Sequence, residues 1–385
     1  LRRAAQLSVF ALAVLTVGAL VLFALTVAGA PGSLPKAQDF DAFWSAARLT
    51  LQDGARAAYT NQTIEAFERA HTVLPGPGYL AFYYPPSFLL LCLPLALLPY
   101  VAALFGFEAL QAGLLWPALK RILDRQDSGE GIVHWGWLPV LAYPGFAMNV
   151  FSGQNGGLTA SCLAFALLTL DRHPWLGGAC LGLLSCKPQL AACVPVALLA
   201  ARRWRAAAAA ACMAVVLAGA ATLVLGLGAW QGFLANAPAA RADIETLAIK
   251  WPMMQSFYGA LRLAGAGAAA GYAGQLAMAL VALGVLAWIC WRKRGAGPEM
   301  AALSVTALLV TPFLYDYDLV LMAPALAWLA GDDIRRRLAH GEMILLLACY
   351  LAPLGARAAG LELGITIGPV LALGLLAAIA RRAAL

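Results

Sequence analysis

Two carboxylates stand two residues apart in an aromatic stretch, Gln38-Asp39-Phe40-Asp41-Ala42-Phe43-Trp44, directly after the first apolar segment. Drawing an acid into the bilayer costs roughly 2.5–3.5 kcal/mol on insertion scales, so an acid kept at the membrane lip implies a task. A carboxylate within hydrogen-bond reach of a hydroxyl can act as a general base. Phe40, Phe43, Trp44, Ala47 and Leu51 recur at helical spacing, with Asp41, Ser45, Arg48 and Gln52 opposite. The pattern predicts an amphipathic helix in the interface plane, its aromatics in the headgroup layer. Asp39 falls in its first turn, where an Asp also serves as an N-cap. Asp41 is expected on the solvated face.

Four further groups carry polar chemistry. Tyr83-Tyr84-Pro85-Pro86-Ser87 combines interfacial tyrosines with prolines that suit a first helical turn. Tyr84 is a candidate substrate contact there. Phe151-Ser152-Gly153-Gln154-Asn155-Gly156 is a glycine-rich turn opening a helix, whose amides and free N–H groups suit a sugar or phosphate. An ordinary tight turn would read the same way. Lys187 stands alone between two short apolar runs. It either snorkels to water or meets a lipid phosphate. Tyr315-Asp316-Tyr317-Asp318 places two acids in a very short turn. Ion pairing to Lys187, Arg262 or Arg357 is the structural alternative to a substrate role.

The elements that position these groups are membrane spans. The 385 residues are 62% hydrophobic and 12% charged, whereas soluble domains are roughly half apolar and a quarter charged. The net charge of +7 does not mark a nucleic-acid binder. Basic residues cluster between apolar runs, as at Arg2-Arg3, Lys120-Arg121, Arg202-Arg203-Trp204-Arg205, Arg292-Lys293-Arg294, Arg335-Arg336-Arg337 and Arg381-Arg382. That is the positive-inside pattern. The eight cysteines lie in apolar segments and the four histidines are scattered, so neither a disulfide framework nor a metal cluster is expected. The N-terminus resembles a signal peptide, with Ala28-Gly29-Ala30 as its cleavage site. The run from Ser8 to Ala28 is nonetheless long enough to span, so an uncleaved first helix is expected.

Length and flanking charge place helices near 8–29, 100–119, 133–150, 154–170, 175–187, 188–201, 206–228, 272–291, 299–314, 317–330, 341–356 and 363–380. The pair 175–187 and 188–201 turns at Lys187-Pro188, and 86–98 dips into the membrane between prolines. On this topology 17 of the 26 basic residues are cytoplasmic, as are both termini. The competing arrangement, in which 86–98 spans and 175–201 is one helix, exports Lys120, Arg121 and Arg125. The outer face then receives the segments 30–84 and 229–271, the turn 151–156, Lys187 and the acids at 316 and 318. The fold class expected is an all-α polytopic bundle of about twelve transmembrane helices.

In this order the motifs resemble the C-type membrane glycosyltransferases, and within them glycosyltransferase family 87, which includes polyprenol-phosphate-mannose-dependent mannosyltransferases. The matching stretches begin with Asp39-Phe40, Phe43-Trp44-Ser45-Ala46-Ala47, Gly54 to Tyr59, and Tyr84-Pro85-Pro86. They continue with Gly153-Gln154-Asn155, Gly178 to Gly182, Lys187-Pro188, Gln255-Ser256-Phe257-Tyr258-Gly259, and Thr311-Pro312 before Asp316. They span about residues 35–325. The chain departs from the pattern at 316–318, where some relatives carry histidine; this bears on the sugar and on any metal there.

The resemblance implies one integral membrane glycosyltransferase domain over 1–385, with an outer catalytic loop about 30–84 and a second outer loop about 229–271. It implies a lipid-linked sugar donor, transfer at the non-cytoplasmic face, and Asp39 as the catalytic acid residue. Asp39 as base, with Lys187 and Arg262 on the donor phosphate, makes a single inverting displacement. Asp41, Tyr84, Gln154, Asn155, Ser256, Tyr258, Asp316 and Asp318 are the expected substrate contacts. The partners are a polyprenyl-phosphate sugar, probed first as mannose, a lipid or glycan acceptor, and membrane lipids. No cofactor, metal or nucleic acid is expected. An Ala- and Gly-rich composition suggests a bacterial inner membrane, with the site facing the periplasm. The rival reading is a transporter or flippase of lipid-linked glycans, which calls for ionisable groups at mid-membrane. Glu108 is the acid lying well inside an apolar span, and no inverted repeat is evident. A noncatalytic scaffold is a third reading, one that requires neither Asp39 nor Lys187.

Overall fold

A computed structural model describes residues 2–29, 38–71, 80–125, 137–246, 248–292, 294–336 and 340–384. Among the described residues the regular structure is helical, with one isolated β-bridge between Met254 and Tyr315. The N-terminal helices are α1 (Arg2–Gly29), α2 (Gln38–Asp53), α3 (Asn61–His71), α4 (Pro86–Cys92), α5 (Tyr100–Asp124), α6 (Leu138–Leu141) and α7 (Pro144–Ser152). The middle holds α8 (Gly156–Thr169), α9 (Pro174–Leu183), α10 (Pro188–Ala191), α11 (Cys193–Ala200), α12 (Trp204–Leu225), α13 (Leu227–Thr246) and α14 (Phe257–Leu263). The C-terminal part is α15 (Ala268–Trp291), α16 (Ala296–Val310), α17 (Ala323–Arg336), α18 (His340–Leu363) and α19 (Gly368–Ala384).

Four helical stretches, Tyr100–Asp124, Trp204–Leu225, Ala268–Trp291 and Gly341–Leu363, are long and apolar enough to cross a membrane. Their uncovered faces are apolar too: Val215 and Leu223 on α12 and Leu276 and Leu280 on α15 are exposed, as lipid contact requires. The protein is an α-helical membrane protein.

Elsewhere the expected spans are broken. Within the stretch 133–150, the described residues from 137 onward form α6 and α7, because Pro139 and Pro144 each remove an N–H from the helical ladder. The stretch 317–330 begins as a 3₁₀ segment, Asp316–Met322, before α17. The segment 229–271, expected as an outer loop, is helical in its described residues, as α13, the 3₁₀ turn Ala248–Met253 and α14. The expected turn at Lys187-Pro188 is present between α9 and α10.

Small residues bring α9 and α12 together. A Cβ on Gly178 would stand 2.3 Å from the Ala206 carbonyl oxygen, and one on Gly182 2.5 Å from that of Ala210. This one-turn spacing of glycines lets two backbones touch where no hydrophobic force drives helices together. The Gly178–Gly182 stretch is thus helix packing.

The loops divide between two ends of the bundle. At one, Arg203 pairs with Asp171 and Glu299, the Ala296 amide donates to Asp171, and Arg292 donates to the Ala384 carbonyl. At the other, the helices deliver Asp39, Tyr84, Gln154, Lys187, Asp316, Asp318 and Arg357 to one locale.

Candidate active site

The helix α2, whose aromatics were expected in a headgroup layer, is covered by protein. Phe40, Ala42, Phe43, Trp44, Ser45, Ala46 and Ala47 are all buried. The polar face is covered as well, since Asp41 and Ser45 lie on it, so burial comes from neighbouring elements and not from the pattern of this helix. Phe43 is caged by the rings of Phe82, Tyr84, Phe88 and Phe107 at 5.0–6.4 Å. Trp44 Nε1 donates to the Leu98 carbonyl at 3.1 Å and Arg48 to that of Ala96 at 2.9 Å, clamping α2 onto the segment before α5.

Asp41, expected on a solvated face, is 3% exposed. It hydrogen-bonds Tyr100 and lies within electrostatic reach of buried Glu68. This is a correction: the acid is turned into the protein. Burial, reinforced by Asp41 and Glu65, pushes the Glu68 carboxyl up to about 8, although the Leu80 N–H donates to it at 2.9 Å and pulls the other way.

Asp39 is half-buried at the start of α2. Gln154 Nε2 donates to its Oδ2 at 2.9 Å and lies 3.5 Å from Tyr317 Oη. Gln154 Oε1 accepts from Tyr84 Oη at 2.9 Å and from the Asn155 amide at 3.1 Å. Burial first, then Asp318 and Asp39, hold the Tyr84 phenol above its ordinary range. Tyr84 therefore stays protonated and donates, which fixes the Gln154 amide with its nitrogen toward Asp39.

Gln154 is itself held from inside the membrane. Gln111 Nε2 donates to the Gln154 carbonyl and to Glu108 Oε2, both at 2.9 Å. Gln111 Oε1 accepts from Asn149 Nδ2 at 3.2 Å and the Leu158 amide at 3.3 Å. The glycines of the turn serve this network. Gly153 takes a left-handed φ of 66° to end α7, and a Cβ on Gly157 would stand 2.7 Å from Gln111 Oε1. Glu108, the intramembrane acid, anchors the turn that orients Asp39.

Both acids of the second turn are ion-paired. Lys187 Nζ meets Asp318 Oδ1 at 3.0 Å, with Lys187 4% and Asp318 5% exposed. The ammonium also lies 5.9 Å from the Tyr84 ring centre. Lys187 thus has a counter-charge, 131 residues distant in sequence, and does not snorkel. Asp316 accepts from Arg357 Nε at 2.6 Å and Nη2 at 3.1 Å. Arg357 is half-exposed and within electrostatic reach of Asp39. Among the described residues no group of three or more His, Cys, Asp or Glu is placed to hold a metal.

The remaining candidates form a second cluster. Ser256 Oγ caps α14 by accepting the Gly259 amide at 3.0 Å, and Tyr258 is fully buried. Arg262 lies 4.2 Å over the Trp251 ring, 3.3 Å from Tyr258 Oη and 3.0 Å from the Glu245 carbonyl oxygen. Its contacts lie within 244–275 rather than with Lys187. Asn155 is buried at the start of α8, its carbonyl accepting from Thr159.

Sequence reasoning missed Gln111, Tyr317 and Asp243, whose carboxylate accepts from Tyr83 Oη at 2.9 Å. A glutamine one helical turn after the intramembrane Glu108 was an available signal for the first.

Spanning helices that converge on a floor of acids, amides and phenols define a polytopic membrane protein with an active-site candidate at one end. The family model for glycosyltransferase family 87 matches residues 82–324, more than half the chain, and the chain belongs to that family. It is a glycosyltransferase. The matched stretch contains Tyr84, Gln154, Lys187, Asp316 and Asp318, and begins after Asp39. No curated protein and no solved structure matches the chain significantly.

Proposed function

We propose that the protein transfers a hexose, mannose in the first instance, from a polyprenyl-phosphate donor to a lipid or glycan acceptor, with Asp39 as general base. The observation that carries this reading is the Asp39 carboxylate oriented by Gln154 beside Tyr84 and Tyr317. The acceptor hydroxyl gives its proton to Asp39 as its oxygen bonds to the sugar C1. The bond from C1 to the phosphate oxygen breaks, and polyprenyl phosphate departs with the electron pair. Attack opposite the leaving group inverts the anomeric centre.

Charge developing on the phosphate falls to Lys187 and Arg357, each braced by an aspartate. Arg357, within electrostatic reach of Asp39, shares with Lys187 the donor-side task expected of Arg262, which packs instead on Trp251, Tyr258 and Glu245. Asp316 and Asp318 act through their cations, and Asn155 acts through the turn it opens. The apolar surface of α4 and the 3₁₀ segment Leu93–Leu97, where Leu91 and Leu97 are exposed, suits the isoprenoid chain.

The reading extends to one catalytic unit over 1–385, about twelve membrane passes, counting helices too short to span untilted, and a bacterial inner membrane with the site facing the periplasm.

The test is transfer by purified protein in detergent from labelled polyprenyl-phosphate mannose to a membrane lipid extract. Wild type forms an anomerically inverted product, and a well-folded Asp39→Asn variant forms none. Full activity in that variant would remove Asp39 from the chemistry.

A further inference from the structure

The helix α13 carries Gly232, Asn236 and Asp243 at offsets of four and seven residues, which places them on one face. That face looks onto the first outer segment. A Cβ on Gly232 would stand 3.0 Å from Tyr59 Cβ, and Asp243 accepts from Tyr83 Oη at 2.9 Å. At the Gly232 end the two elements line an open cleft of ≈ 380 Å³, with Arg56, Tyr59, Asn61, Gln62, Gly232 and Asn236 among its walls. Asn236 is 8% exposed and its Nδ2 has no hydrogen-bond partner; nor does Asn61 Oδ1. A buried amide left unmatched is costly, and ligand hydroxyls, able to donate and to accept, are the groups that would match an amide nitrogen and an amide oxygen.

The seam leads to the reacting end. Tyr59 Oη donates to the Tyr84 carbonyl at 3.0 Å. Tyr315, partly exposed and stacked on Tyr317 with ring centres 5.6 Å apart, lies within electrostatic reach of both Asp39 and Asp243. From Asn236 to Asp243 is about 10 Å along a helix, longer than one sugar ring. Tyrosine faces beside carboxylate and amide groups make the pattern that binds sugars, with apolar ring faces stacked and hydroxyls hydrogen-bonded. The one cationic group of the cleft, Arg56, is exposed at its rim, so recognition is of hydroxyls rather than of charge.

We propose that the seam between α13 and the first outer segment is the acceptor groove, and that it binds a neutral glycan at least two sugars long. Asp243 and Tyr315 hold the ring beside Asp39, and Asn61 and Asn236 hold the next. The proposal rests on the transferase reading above, and it makes the enzyme one that extends a glycan rather than one that adds the first sugar to a lipid.

The test compares lipid-linked acceptors bearing one and two mannose units, in wild type and in Asn236→Leu. The expected result is that wild type uses the two-sugar acceptor with kcat/KM about tenfold higher, the worth of one well-made hydrogen bond set. Asn236→Leu should lose that preference through a raised acceptor KM. Leu234→Ala, changed on an exposed position of the same helix, should keep it. Equal use of both acceptors by wild type, or an undiminished preference in Asn236→Leu, overturns the groove. A parallel measurement stands apart from catalysis: saturation-transfer NMR of mannobiose and maltose on Asp39→Asn protein. Disaccharide binding that weakens on adding Asn236→Leu supports the groove even if no transfer is found, in which case the donor reading fails instead. Absence of disaccharide binding, or binding indifferent to Asn236, counts against the groove alone.

Discussion

The site holds two acid–aromatic–acid turns, Asp39-Phe40-Asp41 and Asp316-Tyr317-Asp318, and they are treated in opposite ways. In the second, Arg357 and Lys187 each meet a carboxylate. In the first, Gln154 gives Asp39 a neutral amide and Tyr100 gives Asp41 a phenol. An acid locked to a cation holds that cation in place and is a poor proton acceptor. An acid oriented by a neutral donor is not held in its charged form by a direct ion pair with that donor. On the proposed mechanism the two turns divide the labour: the first receives the proton and the second sets the charges.

The sharpest way to break this contrast is to neutralise one acid in each turn. Asp39→Asn should lower kcat by about 10²–10⁴-fold, the usual share of a general base, with thermal stability near wild type. Asp318→Asn should do the reverse in emphasis, costing about 3–5 kcal/mol of stability by stranding buried Lys187. Transfer assays paired with thermal denaturation of the same preparations read both effects. If Asp39→Asn chiefly destabilises, the two turns do not differ as described.

Removing both partners sharpens the second turn. Lys187→Met with Asp318→Leu should recover most of the stability lost by either single change, because no orphaned charge remains. Transfer should stay low, with a raised donor KM, because the phosphate has lost a cation. Recovery of activity along with stability would reduce the pair to a structural role.

The orienting amide gives a smaller effect. Gln154→Leu should lower kcat about tenfold and leave donor KM little changed, since Asp39 keeps its charge and loses its aim. A donor KM that moves instead would assign Gln154 to substrate contact.

The least effect lies behind the first turn, at Glu68, whose carboxyl is pushed up to about 8. The folded state keeps this proton at pH values where the unfolded chain has released it. Stability from the group is therefore full below the ordinary carboxylate range and is lost as pH rises toward about 8. Glu68→Gln should flatten that slope in melts taken from about pH 5 to about pH 9, and unaltered pH dependence would place the raised group elsewhere.

Much of this was legible in the chain. Runs of apolar residues long enough to span are fixed by composition and bilayer thickness, so α5, α12 and α15 lie close to where length and flanking charge put them. The polar motifs were visible because polarity is conspicuous in an apolar sequence. The Lys187-Pro188 turn was local, since Pro188 cannot continue a helix through its missing N–H.

What the sequence did not carry is pairing over distance. Lys187 has no acid nearby in the chain, and its partner arrives only when the turn after α16 packs against the end of α9. The environment of α2 was misread for the same cause: a helical pattern states which residues share a face but not what covers the other one. Burial of Asp41 against Tyr100 and Glu68 is a decision of α3 and α5, made by elements further along the chain. The sequence by itself determined the membrane, the long spans and the residues able to do chemistry, because these follow from local composition. Only the tertiary structure decided which acid is oriented by an amide and which is bound to a cation, because that choice belongs to residues brought together from distant parts of the chain.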